Sequence, residues 1–148
     1  MKGFGEQSKA KKRKVISKSS KLSHEKLINQ AFKYHSEGNI LEAKKYYKYL
    51  IDEGSKDHRV FSNYGMILKN LGNLKEAEVS LRKAIEHNPN YANAYSNLGN
   101  ILRDLGKLNE AEQCTRKAIE IKPTFAEALS NLGTILKDLN KLKEAEIA

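Results

Sequence analysis

Four histidines, one cysteine and a set of regularly spaced carboxylates are the residues here whose types could carry chemistry. His24, His35, His58 and His87 show no metal-ligand spacing, and His24 and His58 recur 34 residues apart. Cys114 stands alone, so it forms no internal disulfide and no multi-cysteine metal site; its helical context reads as a partly buried spacer. The pairs Glu76/Glu78, Glu110/Glu112 and Glu144/Glu146 also recur at 34 residues. An active site occurs once, so a pair in every repeat reads as helix-start electrostatics or a solvated face. No glycine-rich phosphate loop is present. These residues predict no enzyme, no cofactor and no metal. What does repeat is hydrogen-bonding capacity: Asn29, Asn63, Asn97 and Asn131 share one repeat position, Ser62, Ser96 and Ser130 another, and Lys69, Arg103 and Lys137 a third. An asparagine amide has two donors and one acceptor oxygen. A row of them suits the backbone of an extended peptide, because it reads amides rather than side chains.

The elements that must position these groups follow from the same period. Residues 92–125 match 58–91 at 17 of 34 positions, and 126–148 match the start of 92–125 at 15 of 23. A more divergent unit, 24–57, stays in phase, with Gly38 aligned to Gly72 and Gly106 and Ala43 to Ala77 and Ala111. Self-similarity at this period marks a solenoid. Within each unit the apolar spacing gives two helices: Tyr95, Leu98, Ile101, Leu102 and Leu105 in the first, then Leu108, Ala111, Cys114/Thr115, Ala118 and Ile119 in the second. Gly38, Gly72, Gly106 and finally Asn140 follow the first helix. Glycine and asparagine both tolerate a left-handed residue at a helix C-terminus, so a turn is expected at each. Pro89 and Pro123 close the second helices. Small residues, Gly65, Gly99 and Gly133 against Ala77, Ala111 and Ala145, are expected where two helices approach closely.

These offsets resemble the tetratricopeptide repeat (TPR). Apolar residues at repeat positions 4, 7 and 11 are Tyr95, Leu98 and Leu102, or Phe61, Tyr64 and Leu68; Gly99, Ala111, Ala118 and Pro123 fill positions 8, 20, 27 and 32. The first unit departs from the pattern at Gln30, Ala31 and Ser55. The resemblance implies an all-α, right-handed α-solenoid of stacked helix-turn-helix units over 24–57, 58–91, 92–125 and a truncated 126–148. It also implies that first helices line a concave groove through positions 2, 5, 6, 9, 12 and 13, one stripe of a helix. Asn29, Asn63, Asn97, Asn131, Ser62, Ser96, Ser130, Lys69, Arg103 and Lys137 are thereby the candidate peptide-groove residues. Asp104 and Asp138 make that stripe polar and mixed rather than cationic. A similar asparagine ladder occurs in the TPR arm of O-linked N-acetylglucosamine transferases. The clamp by which some TPRs hold chaperone C-termini is not matched: its positions carry Ile28, Phe32, Asn63, Asn93 and Asn97, or one unit later Ser62, Met66, Asn97, Glu127 and Asn131. The implied function is protein–protein interaction with an extended peptide or partner in the groove. The alternative is the substrate-recognition part of a larger TPR-containing glycosyltransferase or sulfotransferase.

Charge and composition fit that picture. The 148 residues carry 27 Lys+Arg against 18 Asp+Glu, with mean hydropathy −0.67. Residues 1–23 hold eight of the basic residues and one acid, so the array itself is nearly neutral. This Lys- and Ser-rich tail is expected to be disordered and to bind polyanions weakly and without sequence preference. Its Ala10-Lys11-Lys12-Arg13-Lys14-Val15 run resembles a nuclear-import signal. No apolar run exceeds three residues, as in Met66-Ile67-Leu68, which is too short for a membrane helix or a secretory signal. A soluble, cytoplasmic protein without membrane contact is expected. The fourth unit breaks off inside its second helix at Ala148, which reads as a fragment or the N-terminal part of a longer protein with a frayed last helix after about residue 140.

Overall fold

The computed structural model describes residues 23–147, all helices and turns. The expectations for the basic tail fall on residues 1–22, outside the described residues. The chain divides into two compact units between Gly54 and Ser55.

The first unit is one helical hairpin: α1 (residues 23–36) and α2 (Ile40–Asp52). Gly38 makes the turn at φ +75°. Its N–H bonds the His35 carbonyl at 3.1 Å, and the Asn39 N–H bonds that of Tyr34 at 2.8 Å, the paired bonds that close a helix through a left-handed glycine. Ala31 and Ala43 are fully buried, so at position 31 alanine serves where later repeats have glycine. Tyr47 is fully buried as well, its ring 6.0 Å from Phe32 and 5.8 Å from His35, with its hydroxyl 3.1 Å from His35 Nδ1. Burial lowers the His35 pKa.

The second unit holds α3 (His58–Asn70), α4 (Leu74–His87), α5 (Ala92–Asp104), α6 (Leu108–Ile121) and α7 (Ala126–Ile147). The Asp57 carboxylate caps α3 by accepting from the Arg59 N–H at 2.9 Å. Gly72 and Gly106 turn the chain at φ +81° and +77°, repeating the bond pair of Gly38: Asn73 N–H to Leu68 carbonyl at 2.9 Å, Lys107 N–H to Leu102 carbonyl at 2.8 Å. α4 and α6 then fold back on α3 and α5, and within this unit each hairpin stacks on the next. Close approach explains the small residues. A Cβ on Gly65 would sit 3.1 Å from Leu81 Cγ and 3.2 Å from the Ala77 carbonyl. One on Gly99 would run into Thr115 Oγ1 and lie 3.2 Å from the Ala111 carbonyl.

The last repeat differs from expectation. No turn forms at Asn140: α7 is one helix of 22 residues, about 33 Å long at 1.5 Å per residue, and among the described residues only glycines have positive φ. Gly133 therefore faces open space rather than Ala145. An L-residue in the left-handed region is strained, and continuing the helix avoids that strain. Residues 141–147 are all exposed along this helix.

Candidate peptide-binding face

Three parallel first helices, α3, α5 and α7, stack side by side in the second unit and carry most of the candidate residues at matching turns. Asn63, Asn97 and Asn131 are half-buried at one level. Asn131 Nδ2 donates to Ser96 Oγ at 3.2 Å, linking α7 to α5 across this level. Asn97 makes no side-chain hydrogen bond among the described residues, so its amide is open to a ligand. Ser62 and Ser96 are buried, whereas Ser130 is exposed. Asn29 is exposed on α1 of the first unit.

One to two turns further along, charges alternate between neighbouring helices. Lys69 Nζ lies 3.8 Å from Asp104 Oδ2. Arg103 reaches Asp104 at 3.4 Å and Asp138 at 3.9 Å. Lys137 is exposed and makes no ion pair among the described residues. These ion pairs are loose and partly exposed, so each contributes little to stability, and the two signs nearly balance.

The remaining polar residues hold the scaffold. Glu78 is tied by Arg82 at 2.7 Å and by Lys107 at 3.0 Å, and Arg82 also reaches Glu110 at 2.9 Å. α4 is thereby pinned to the start of α6. Burial pushes the Glu78 carboxyl up, but the hydrogen bonds and charges of Arg82 and Lys107 outweigh it and hold the group below the usual carboxylate range. Reading the Glu pairs as helix-start charges misses this tie. Its signal in the sequence is Lys107, directly after the turn glycine and 29 residues beyond Glu78. Cys114 is half-buried, and burial raises its thiol pKa, the reverse of what a nucleophile needs. Among the described residues no group of three or more His, Cys, Asp or Glu could hold a metal ion, and no helix is long and apolar enough to cross a membrane.

Antiparallel hairpins closed by a left-handed glycine, stacked at a 34-residue period and presenting their first helices on one face, define a helical-repeat scaffold. Family models described as tetratricopeptide repeat match residues 92–125 and 114–147, and one described as TPR repeat matches 65–102. Together they span 65–147, more than half of the chain, which belongs to the tetratricopeptide repeat family. No curated protein matches the sequence significantly. Among solved structures, the first TPR of Spaghetti (RPAP3) bound to the HSP90 peptide SRMEEVD superposes with a TM-score of 0.74 at 26% identity, covering 79% of this chain and 93% of that one. The second TPR domain of human RPAP3, in complex with the HSP70 peptide SGPTIEEVD, gives 0.68 at 25%, covering 74% and 91%. An O-GlcNAc transferase from Thermobaculum terrenum gives 0.72 at 23%, covering 78% of this chain and 22% of that one; this is a likeness of fold.

Proposed function

We propose that this chain is a protein-interaction module that holds an extended peptide segment of a partner across α3, α5 and α7 and performs no chemistry of its own. The reading rests on one observation: three asparagines at the same level of three successive parallel helices, one of them, Asn97, with an unengaged amide. Such a row offers donors and acceptors at repeated intervals, which matches a peptide backbone better than any one side chain. Asn29 shares their repeat position in the first unit, and Ser62, Ser96, Ser130, Lys69, Arg103 and Lys137 would flank the row. The unit boundaries at 57/58, 91/92 and 125/126 are part of the same proposal, as is a cytoplasmic setting.

The RPAP3 domains bind peptides that end in EEVD. We do not extend that ligand to this chain. Of its clamp positions only the asparagine of the next repeat, Asn63, is kept, Ile28 and Phe32 stand where a lysine and an asparagine would be, and Lys69 and Arg103 already face Asp104 and Asp138. An acidic C-terminus would meet carboxylates as readily as cations. The test is a pull-down with the chain as bait, followed by anisotropy titration of the peptide recovered. Asn63→Ala combined with Asn97→Ala weakens that peptide about tenfold or more, each lost hydrogen bond contributing about 1 kcal/mol, with the helical circular dichroism unchanged. Equal affinity in the double variant overturns the proposal, and tight saturable binding of SRMEEVD overturns the exclusion of that ligand.

A further inference from the structure

The asparagine row sets a length as well as a chemistry. α3, α5 and α7 carry Asn63, Asn97 and Asn131 at equivalent positions, so a ligand crossing the row passes from one amide to the next by one helix-to-helix step. Neighbouring first helices touch through their side chains at two levels. Asn131 Nδ2 reaches Ser96 Oγ at 3.2 Å, and Lys69 and Arg103 approach Asp104 and Asp138 at 3.8 and 3.9 Å. Helices in such contact have axes about 8–10 Å apart.

A ligand in β-strand conformation does not keep that step. Three residues at about 3.3 Å each cover it, but residues three apart in a strand point to opposite faces. The spacings that share a face, two and four residues, measure about 6.6 Å and about 13 Å. A polyproline II helix does keep it: three residues per turn at about 3.1 Å each bring an equivalent carbonyl round about every 9.3 Å. That backbone makes no internal hydrogen bonds, so its carbonyls are free to accept. The Asn97 amide, with no side-chain hydrogen bond among the described residues, has two donors to give. Proline loses nothing at such a contact, which runs from asparagine N–H to peptide carbonyl and needs no peptide N–H, and its fixed φ reduces the ordering cost of binding. We infer that the ligand of the α3–α5–α7 face is a proline-rich segment in the polyproline II conformation, laid across the three helices with every third carbonyl over the asparagine row. This rests on the reading of that row as the peptide site and adds to it the conformation and composition of what it holds.

Anisotropy titration of residues 1–148 against fluorescein-labelled decaproline tests this, beside the same peptide with D-proline at its two central positions. Ten residues reach about 31 Å in this conformation, enough for the two steps between three helices. D-proline holds φ at about +65°, which breaks the left-handed helix without changing composition or charge. Decaproline is expected to saturate the chain, and the D-proline peptide to bind tenfold or more weakly. Asn97→Ala weakens decaproline about tenfold while the helical circular dichroism is unchanged, since the half-buried Asn97 amide has no side-chain partner to lose. Absence of saturation up to millimolar decaproline overturns the inference. So does equal affinity for the two peptides, or an affinity unchanged in Asn97→Ala. If decaproline fails while a peptide recovered by pull-down still depends on Asn63 and Asn97, the interaction module stands and only its polyproline II ligand is lost. If neither peptide depends on the asparagines, both readings fall.

Discussion

The α5–α6 hairpin and α7 begin with nearly the same sequence and follow different paths. Fifteen of 23 positions are identical between residues 92–114 and 126–148. After Leu105 the chain turns at Gly106, φ +77°, and α6 returns to bury Ala111, Thr115 and Ala118. After Leu139 the chain meets Asn140 and runs on as helix to Ile147. Two terms separate them. Glycine reaches the left-handed region without strain, whereas asparagine tolerates it better than other L-residues but still less freely than glycine. And α6 offsets its turn by burying Ala111, Thr115 and Ala118, whereas residues 141–147 are all exposed. A helical turn is therefore the outcome of a competition between local strain and distant burial, and a near-identical pattern does not decide it.

The largest effect expected of this difference is in amide exchange. In the dilute, monomeric chain the amides of Ile101 and Leu102 open only with the whole unit, at on the order of 5 kcal/mol. Those after about residue 140 exchange with almost no protection. Equal protection of 141–147 and α6 in the monomer would mean that the hairpin closes in solution, and the contrast would be lost. Next in size is a pair of substitutions with opposite signs. Gly99→Ala forces a methyl into Thr115 and the Ala111 carbonyl and destabilises by about 1–3 kcal/mol. Gly133→Ala meets nothing and stabilises by about 0.5–1 kcal/mol, as helix-interior glycine replacements do. Urea titration of both variants reads the difference directly. The turn itself gives a smaller pair: Gly106→Ala loses about 1–2 kcal/mol through its positive φ, and Asn140→Ala gains about 0.5 kcal/mol by helix propensity. A loss of stability in Asn140→Ala would show that asparagine does turn the chain.

Much of the fold is legible because it is written locally and three times over. Gly38, Gly72 and Gly106 announce the turns, the spacing of three and four announces the helices, and Gly65–Ala77 and Gly99–Ala111 announce the close approaches. Asn140 misleads because its conformational tolerance is a permission, and what would enforce the turn lies outside the motif. The candidate face is legible as a set of repeat positions, but not as an environment. Ser62 and Ser96 are polar by type and buried by packing, and the hydrogen bond from Asn131 to Ser96 depends on how α7 stacks on α5. In the first unit, Gln30 and Ala31 signal a departure from the pattern. The burial of Tyr47 among Phe32, His35 and the α1–α2 hairpin emerges only from the packing, because no period predicts which aromatic fills a gap.

The smallest expected effect separates the same two regions by their charges. Glu78 is bound by Arg82 on its own helix and by Lys107 at the start of α6. Its counterpart one repeat on, Glu112, keeps Arg116 at 2.8 Å, but Lys141, the counterpart of Lys107, has moved off with the straight α7. Glu78→Gln thus removes two partners and costs up to about 1 kcal/mol at neutral pH, while Glu112→Gln loses a single i,i+4 pair of about 0.3–0.5 kcal/mol. The pH dependence of the first follows from the depressed Glu78 pKa. A carboxyl held below its unfolded value binds its proton more readily when the chain unfolds. Its stabilisation is complete above about pH 4.3 and is lost as pH falls through the lower, folded value. The midpoint of thermal unfolding in the wild-type chain should accordingly drop below that pH more steeply than in Glu78→Gln, and raised salt should narrow the gap. Parallel acid limbs in the two proteins would leave Glu78 a surface charge like any other. The tie between α4 and α6 would then rest on packing alone.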